Sequence, residues 1–214
     1  MISIKTFVFN PFAENTFVLS DDSGECIIID PGCSSKNEEE ELVNYVELNN
    51  LTPVLLLNTH CHIDHVLGNK FVKEKYKVEL HIPEHDKATY DAVPTYAEVY
   101  GFPAYSHISE DSLIKEHDKI RFGHTDLESV FVPGHTEGHL AFINKIDNIC
   151  ISGDVLFDGS IGRTDLPGGD YDTLIGSIQK KLFVYADDMT VYPGHGPTTT
   201  IGKEKKYNPF CAVN

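Results

Sequence analysis

The stretch NTHCHIDH, residues 58 to 65, places His60, His62, Asp64 and His65 within six positions. Imidazole nitrogen and carboxylate oxygen are common protein ligands for divalent metals. In extended backbone His60 and His62 point to one face and Cys61 to the other, so the two imidazoles can converge on one ion. Asp64 and His65 come next, in a turn or a first helical turn. All four reach a single ion from so short a segment only under strain. A loop serving two adjacent ions is the simpler reading.

Three more segments carry the same residue types. His135 stands in VPGHTEGH, Asp154 in ISGDVLF and His195 in VYPGHGP. Each follows an apolar run, so each is expected just past the end of a strand, where a rigid element can deliver a loop residue to one edge of a fold. His139, four residues after His135, is expected to support the neighbouring side chains rather than to bind metal itself. His81, His85, His107, His117 and His124 fall outside the pattern and read as hydrogen-bonded or surface residues.

The elements that must position these residues are legible from apolar runs and turn signals. ISIKTFVF, NTFVLS and ECIIID read as strands bounded by Asn-Pro, Asp-Asp-Ser-Gly and Asp-Pro-Gly. SKNEEEELVNYVELNN predicts an amphipathic helix with an acidic first turn, which suits its dipole. PVLLLN is a buried strand running into the histidine cluster, VLGNKFVKEKY a helix and KVELHI a strand. Residues 84 to 118 are the least regular part, rich in Tyr, Phe and Pro, and suit a lid, a helical insertion or a small satellite core. KIRF, LESVFV, LAFINKI and NICISGD predict strands, YDTLIGSIQKKLFVY a helix and MTVYP a strand. Two halves of strands followed by a helix suggest two sheets with helices outside, in one domain spanning residues 1–214.

Composition narrows the partners. The net charge of −16 argues against nucleic acid, because binding its backbone needs clustered Lys and Arg. No run of 18 apolar residues suggests a membrane span. The start, MISIKTFVFN, lacks the marks of a signal peptide, so a cytoplasmic location is expected. Five cysteines are scattered without a C-x-x-C pair, which indicates neither a disulfide framework nor a zinc finger. Cys26 and Cys150, in apolar runs, are expected to be buried.

The set H-x-H-x-D-H plus a later His, an Asp and a final His resembles the signature of the metallo-β-lactamase superfamily, in the family's order and over nearly the whole chain. The resemblance implies an α/β fold, a four-layer αβ/βα sandwich of two mixed β-sheets flanked by helices. It implies two divalent ions: one held by His60, His62 and His135, the other by Asp64, His65 and His195, with Asp154 between them. Nitrogen and oxygen ligands without thiolate suit zinc, the metal expected here, and are also compatible with iron or manganese. Two such ions about 3.5–4 Å apart can activate a water for attack on a carbonyl or phosphoryl centre. Asp64 would orient that water and shuttle a proton. By the same resemblance Asp30 and Thr59 would aim the imidazoles.

Within the superfamily, SGDVLFDGSIGRTDLPGGD and the ending YPGHGPTTTIGKEKKYNPF resemble the glyoxalase II-like branch, the latter its small single-domain members. This implies a hydrolase of small thioesters of the S-hydroxyacylglutathione type. Nineteen residues follow His195, so the helical domain that full-length glyoxalase II enzymes add there is not expected. Arg163 of GRTD is the candidate substrate-side cation, with a salt bridge to Asp165 or Asp170 as the alternative use. Two other readings stay open: a mononuclear iron persulfide dioxygenase using His60, His135 and Asp154, and a metal-binding module without catalysis.

Overall fold

The computed structural model describes residues 1–213. Two compact units make up the chain: Met1–Ile114 with Arg121–Asp126, and Lys115–Ile120 with the residues from Leu127 onward.

The first unit is built on strands β1 (Ser3–Phe9), β2 (Glu14–Ser20), β3 (Glu25–Ile29), β4 (Thr52–Leu57), β5 (Glu79–Pro83) and β6 (Ser112–Ile114), neighbours in that order. β1, β2 and β3 pair antiparallel; β3, β4, β5 and β6 pair parallel. Parallel strands need crossovers, which here are α1 (Lys36–Leu48), then α2 (Ile63–Val66) with α3 (Asn69–Tyr76), and between β5 and β6 the helical segment that opens at Glu84. Ser35 starts α1 with a capping box: it accepts from Glu38 N, while the Glu38 carboxylate accepts from Ser35 N. Leu42 and Val46, one turn apart, are buried beneath it.

The stretch VLGNKFVKEKY is not one helix. Gly68 interrupts it, and its N–H donates to Pro31 O at 2.7 Å. A Cβ at Gly68 would sit 2.8 Å from that same carbonyl, so the close approach needs glycine. Residues 84 to 118 begin with a 3-10 turn at Glu84–Asp86, continue as α4 (Lys87–Tyr96) and return to the sheet as β6. Tyr90 and Val93 of α4 lie in the core with Ile28, Leu56 and Leu80, and Phe102 and Tyr105 pack against it.

The second unit holds most of a sheet ordered β14-β13-β10-β9-β8-β7. Its strands are β7 (Lys119–Phe122), β8 (Thr125–Phe131), β9 (Leu140–Asn144), β10 (Ile149–Gly153), β13 (Thr190–Pro193) and β14 (Thr199–Thr200); β11 (Leu156–Phe157) and β12 (Ser160–Ile161) form a small hairpin. β10 and β13 pair parallel, and β9 is antiparallel to both β8 and β10. α5 (Tyr171–Ser177) and α6 (Ile201–Tyr207) contribute Leu174 and Ile201 to a core with Ile143, Cys150 and Val191. The helix expected over YDTLIGSIQKKLFVY is α-helical only in α5 and widens to a π-type turn at Ile178–Leu182.

Both units are mixed sheets carrying helices, so the chain is α/β with two mixed β-sheets flanked by helices, as the resemblance implies. Cys26 and Cys150 are buried, and burial pushes each thiol up to about 12. Among the described residues no helix is long and apolar enough to cross a membrane.

The ending of the second unit is a clamp. The buried Glu204 carboxylate accepts from Thr199 Oγ1 at 2.5 Å, Gly159 N at 2.9 Å and Asn208 Nδ2 at 2.8 Å. Asn208 Nδ2 also donates to Ser160 O at 3.0 Å, and Lys203 pairs with Asp158. The TTIGKEKKYNPF segment therefore holds the β11–β12 turn in place.

Candidate metal centre

In the first unit, register decides which side chains meet. Ile29 pairs with Leu57, and Leu57 with His81, so the parallel strands β3, β4 and β5 end at one edge. The residues after β3 and β4 are therefore neighbours. Thr59 N and Oγ1 donate to Asp30 Oδ1 and Oδ2 at 2.7 and 2.6 Å. Asp30 sits in the left-handed region, φ 50°, and is fully buried.

This pairing assigns the histidine tautomers. His65 Nδ1 lies 3.1 Å from Asp30 Oδ2 and donates to it. Thr59 Oγ1 spends its proton on Asp30, so at 3.1 Å it accepts from His60 Nδ1–H. Each ring then presents Nε2 with its lone pair, the form that ligates metal. His60 has ring centroids 4.2 Å from His65 and 4.9 Å from His62. His65 Nε2 is 3.7 Å from Asp64 Oδ2. Asp30, His60 and His65 also offer ligand atoms within 4.8 Å of one another. Both Asp30 oxygens accept hydrogen bonds, Oδ1 from Thr59 N and Oδ2 from Thr59 Oγ1 and His65 Nδ1.

The rest of the loop is held from several sides. Asn58 Nδ2 donates to His65 O at 2.9 Å and Asn69 Nδ2 to Asn58 Oδ1 at 2.8 Å. Asn10 Nδ2, in the β1–β2 turn, donates to Asp64 O at 3.0 Å. Cys61 N donates to Asp86 Oδ2 at 2.7 Å. Cys61 itself is buried, which pushes its thiol well above the usual range. Glu14 lies 3.9 Å from His65 Nδ1, and burial raises its carboxyl well above the ordinary value. Asp86, Asn10 and Glu14 carried no sequence signal of this role; only the fold brings them to the loop.

In the second unit, Gly194 N donates to Gly153 O at 2.9 Å, which sets the ends of β10 and β13 side by side. Asp154 and His195 follow directly, and Asp154 Oδ2 is 3.4 Å from His195 Nε2. The same oxygen is 3.6 Å from His135 Nε2. His135 Nδ1 donates to Arg163 O at 2.8 Å, so its Nε2 also carries a lone pair. Asp154 N donates to His139 Nε2 at 3.0 Å. The Phe157 ring meets His195 edge-on, centroids 6.2 Å apart.

Two glycines make this packing possible. A Cβ at Gly134, φ 126°, would lie 2.3 Å from Leu174 N. One at Gly162 would lie 1.8 Å from Asp154 O.

The Arg163 side chain pairs in bidentate fashion with Asp165, at 2.7 and 2.9 Å, on the exposed surface. This guanidinium holds the Asp165 carboxyl at about 2. Of the histidines outside the pattern, His81 pairs with Glu79, His117 with Glu128 and His124 with Asp22.

The donors suit a metal. Asp154 Oδ2 stands between two imidazole nitrogens at 3.4 and 3.6 Å, too far for good hydrogen bonds and close enough for atoms that share ions. Residues 9–195 match the metallo-beta-lactamase superfamily. The chain belongs to that superfamily. Hydroxyacylglutathione hydrolase GloC of Haemophilus influenzae is 38% identical over 211 residues, covering 98% of each chain. The crystal structure of BLEG-1 B3 metallo-beta-lactamase is similar with TM-score 0.90 and 31% identity, over 99% of this chain and 100% of that one. TTHA1623, solved in a di-iron-bound form, gives TM-score 0.84 and 31% identity, over 96% and 99%. The metallo-beta-lactamase superfamily places this chain among metallo-hydrolases.

Proposed function

We propose that the chain is a two-metal hydrolase of small thioesters of the S-hydroxyacylglutathione type. The observation that carries the reading is the set of lone-pair imidazoles and carboxylates at the strand ends, above all Asp154 Oδ2 between His135 and His195. Similarity to the Haemophilus influenzae hydroxyacylglutathione hydrolase supports the substrate class. One ion would take His60, His62 and His135, the other Asp64, His65 and His195, with Asp154 shared. Zinc suits these donors; iron is the metal of the similar TTHA1623 structure.

When bound, such ions supply Lewis acidity and lower the pKa of a coordinated water. The chain's own residues do the rest. Asp64 would orient the attacking water and take its proton at a carboxylate oxygen as the new C–O bond forms; when the C–S bond breaks, that proton goes to the sulfur of the leaving thiolate. Asp30 and Thr59 keep the His65 and His60 rings in the Nδ1–H tautomer, and Arg163 O does the same for His135. Arg163, at the surface, would exchange Asp165 for an anionic group of the substrate.

The test is elemental analysis of the protein as isolated, followed by thiol release from S-lactoylglutathione. Two ions per chain and chelator-sensitive release are expected. No release from fully metallated protein sinks the thioester claim. One iron per chain with oxygen uptake on a persulfide would favour a dioxygenase instead.

A further inference from the structure

Asp86 stands at the N-cap of α4, yet its side chain makes no capping hydrogen bond to that helix. Aspartate at this position ordinarily accepts from the amides of its own first turn. Here Oδ2 turns away and accepts from Cys61 N at 2.7 Å. Both residues are fully buried. Burying a carboxylate is costly unless hydrogen bonds compensate it, and the Cys61 amide supplies one such bond. The Cys61 amide is also a particular one: it lies between His60 and His62, whose ring centroids are 4.9 Å apart.

The amides around it are anchored in turn. Asn58 N donates to His81 O at 3.1 Å and Thr59 N to Asp30 Oδ1 at 2.7 Å. These fix the loop before His60. Without Asp86, none of these bonds fixes the peptide between the two histidines, and each ring could swing with its own backbone. We infer that Asp86 is a positioning residue for the His60–His62 pair, acting through the Cys61 amide to set the spacing of two metal ligands. The inference rests on the metal-centre reading above. It also gives residues 84 to 118 a tie to the histidine loop at their first turn.

Cobalt(II) binding tests it, followed by chelator competition and by the visible absorption of the bound ion, with thermal unfolding of the metal-free proteins alongside. Asp86→Ala is expected to weaken cobalt binding about 10–100-fold and to shift the absorption. Asp86→Asn keeps an oxygen acceptor at the same place and is expected to bind within threefold of the parent. Asp86→Ala binding within threefold and with the parent's spectrum overturns the inference. So does an equal loss in Asp86→Asn, which would assign the effect to charge. Should Asp86→Ala not fold, Asp86→Glu decides: it keeps the charge but displaces the acceptor, so a shifted spectrum supports positioning and an unshifted one overturns it. A parent protein that binds no cobalt overturns the metal-centre reading itself, and the inference with it.

Discussion

The main-chain N–H of Asp154 donates to Nε2 of His139 over 3.0 Å. His139 thus holds the residue that stands between two imidazoles without being one of them. Replacing it with alanine leaves a buried amide without its acceptor, a cost of about 1–3 kcal/mol. Urea unfolding of metal-free His139→Ala should show that loss, and chelator competition should show metal affinity down about 10–100-fold. Parental affinity in a folded variant would mean that His139 does not orient Asp154.

Asp30 combines a left-handed backbone with incoming hydrogen bonds from Thr59 N and Oγ1, from His65 Nδ1 and, at 3.5 Å, from Asn58 Nδ2. The two contributions separate by substitution. Asp30→Ala keeps the backbone strain and loses the acceptors; Asp30→Gly loses the acceptors and relieves the strain. Both should lose metal affinity alike, by about 10–100-fold, while the metal-free glycine variant melts above the alanine one. Undiminished affinity in both would remove Asp30 from the centre.

Gly134 precedes His135, and an added Cβ would press on the α5 backbone at Leu174. Gly134→Ala is expected to cost at least about 1–3 kcal/mol, since backbone cannot yield as a side chain can. Gly159, φ 69° with nothing within 4 Å of a new Cβ, is the control. Its alanine variant should carry only the left-handed penalty of about 1–2 kcal/mol. Equal urea midpoints for the two would contradict the packing argument.

Asp21 gives a pH signature in the first unit. Its slight burial opposes ionisation, but hydrogen bonds from Ser23, Thr125 and His124 outweigh it and hold the carboxyl far below its ordinary value. A folded-state value below the unfolded one stabilises the fold above about pH 4, where the unfolded carboxyl is ionised, and the contribution fades as pH falls toward the folded value. Asp21→Asn should therefore be less stable than the parent at neutral pH, with the gap narrowing in acid. A gap that is constant with pH would show that the carboxylate charge is not what these donors recognise.

Much of the fold was readable because its signals are local. Apolar runs closed by Asp-Pro-Gly, Pro-Gly or Ser-Gly-Asp mark strand ends, and His135, Asp154 and His195 stand just past them. Ligand-type residues crowded at 60, 62, 64 and 65 likewise need no tertiary knowledge to notice. What escaped depends on register and distance. Asp86 reaches Cys61 across 25 residues, and Asn10 reaches Asp64 across 54. The break at Gly68 depends on how closely Pro31 O approaches, which no helix periodicity encodes. Arg163 illustrates both limits: its side chain was legible as a cation beside Asp165, while its carbonyl, which orients His135, was not.

Glu204 joins β14, the β11–β12 turn and the end of α6 through one buried carboxylate. Segments tied to a common acceptor cannot loosen one at a time without stranding it. Exchange with deuterium should therefore treat them as a single opening unit, with the Gly159 and Asn208 amides sharing one protection free energy. The hairpin that seats Phe157 against His195 would then breathe at the pace of the chain's last helix.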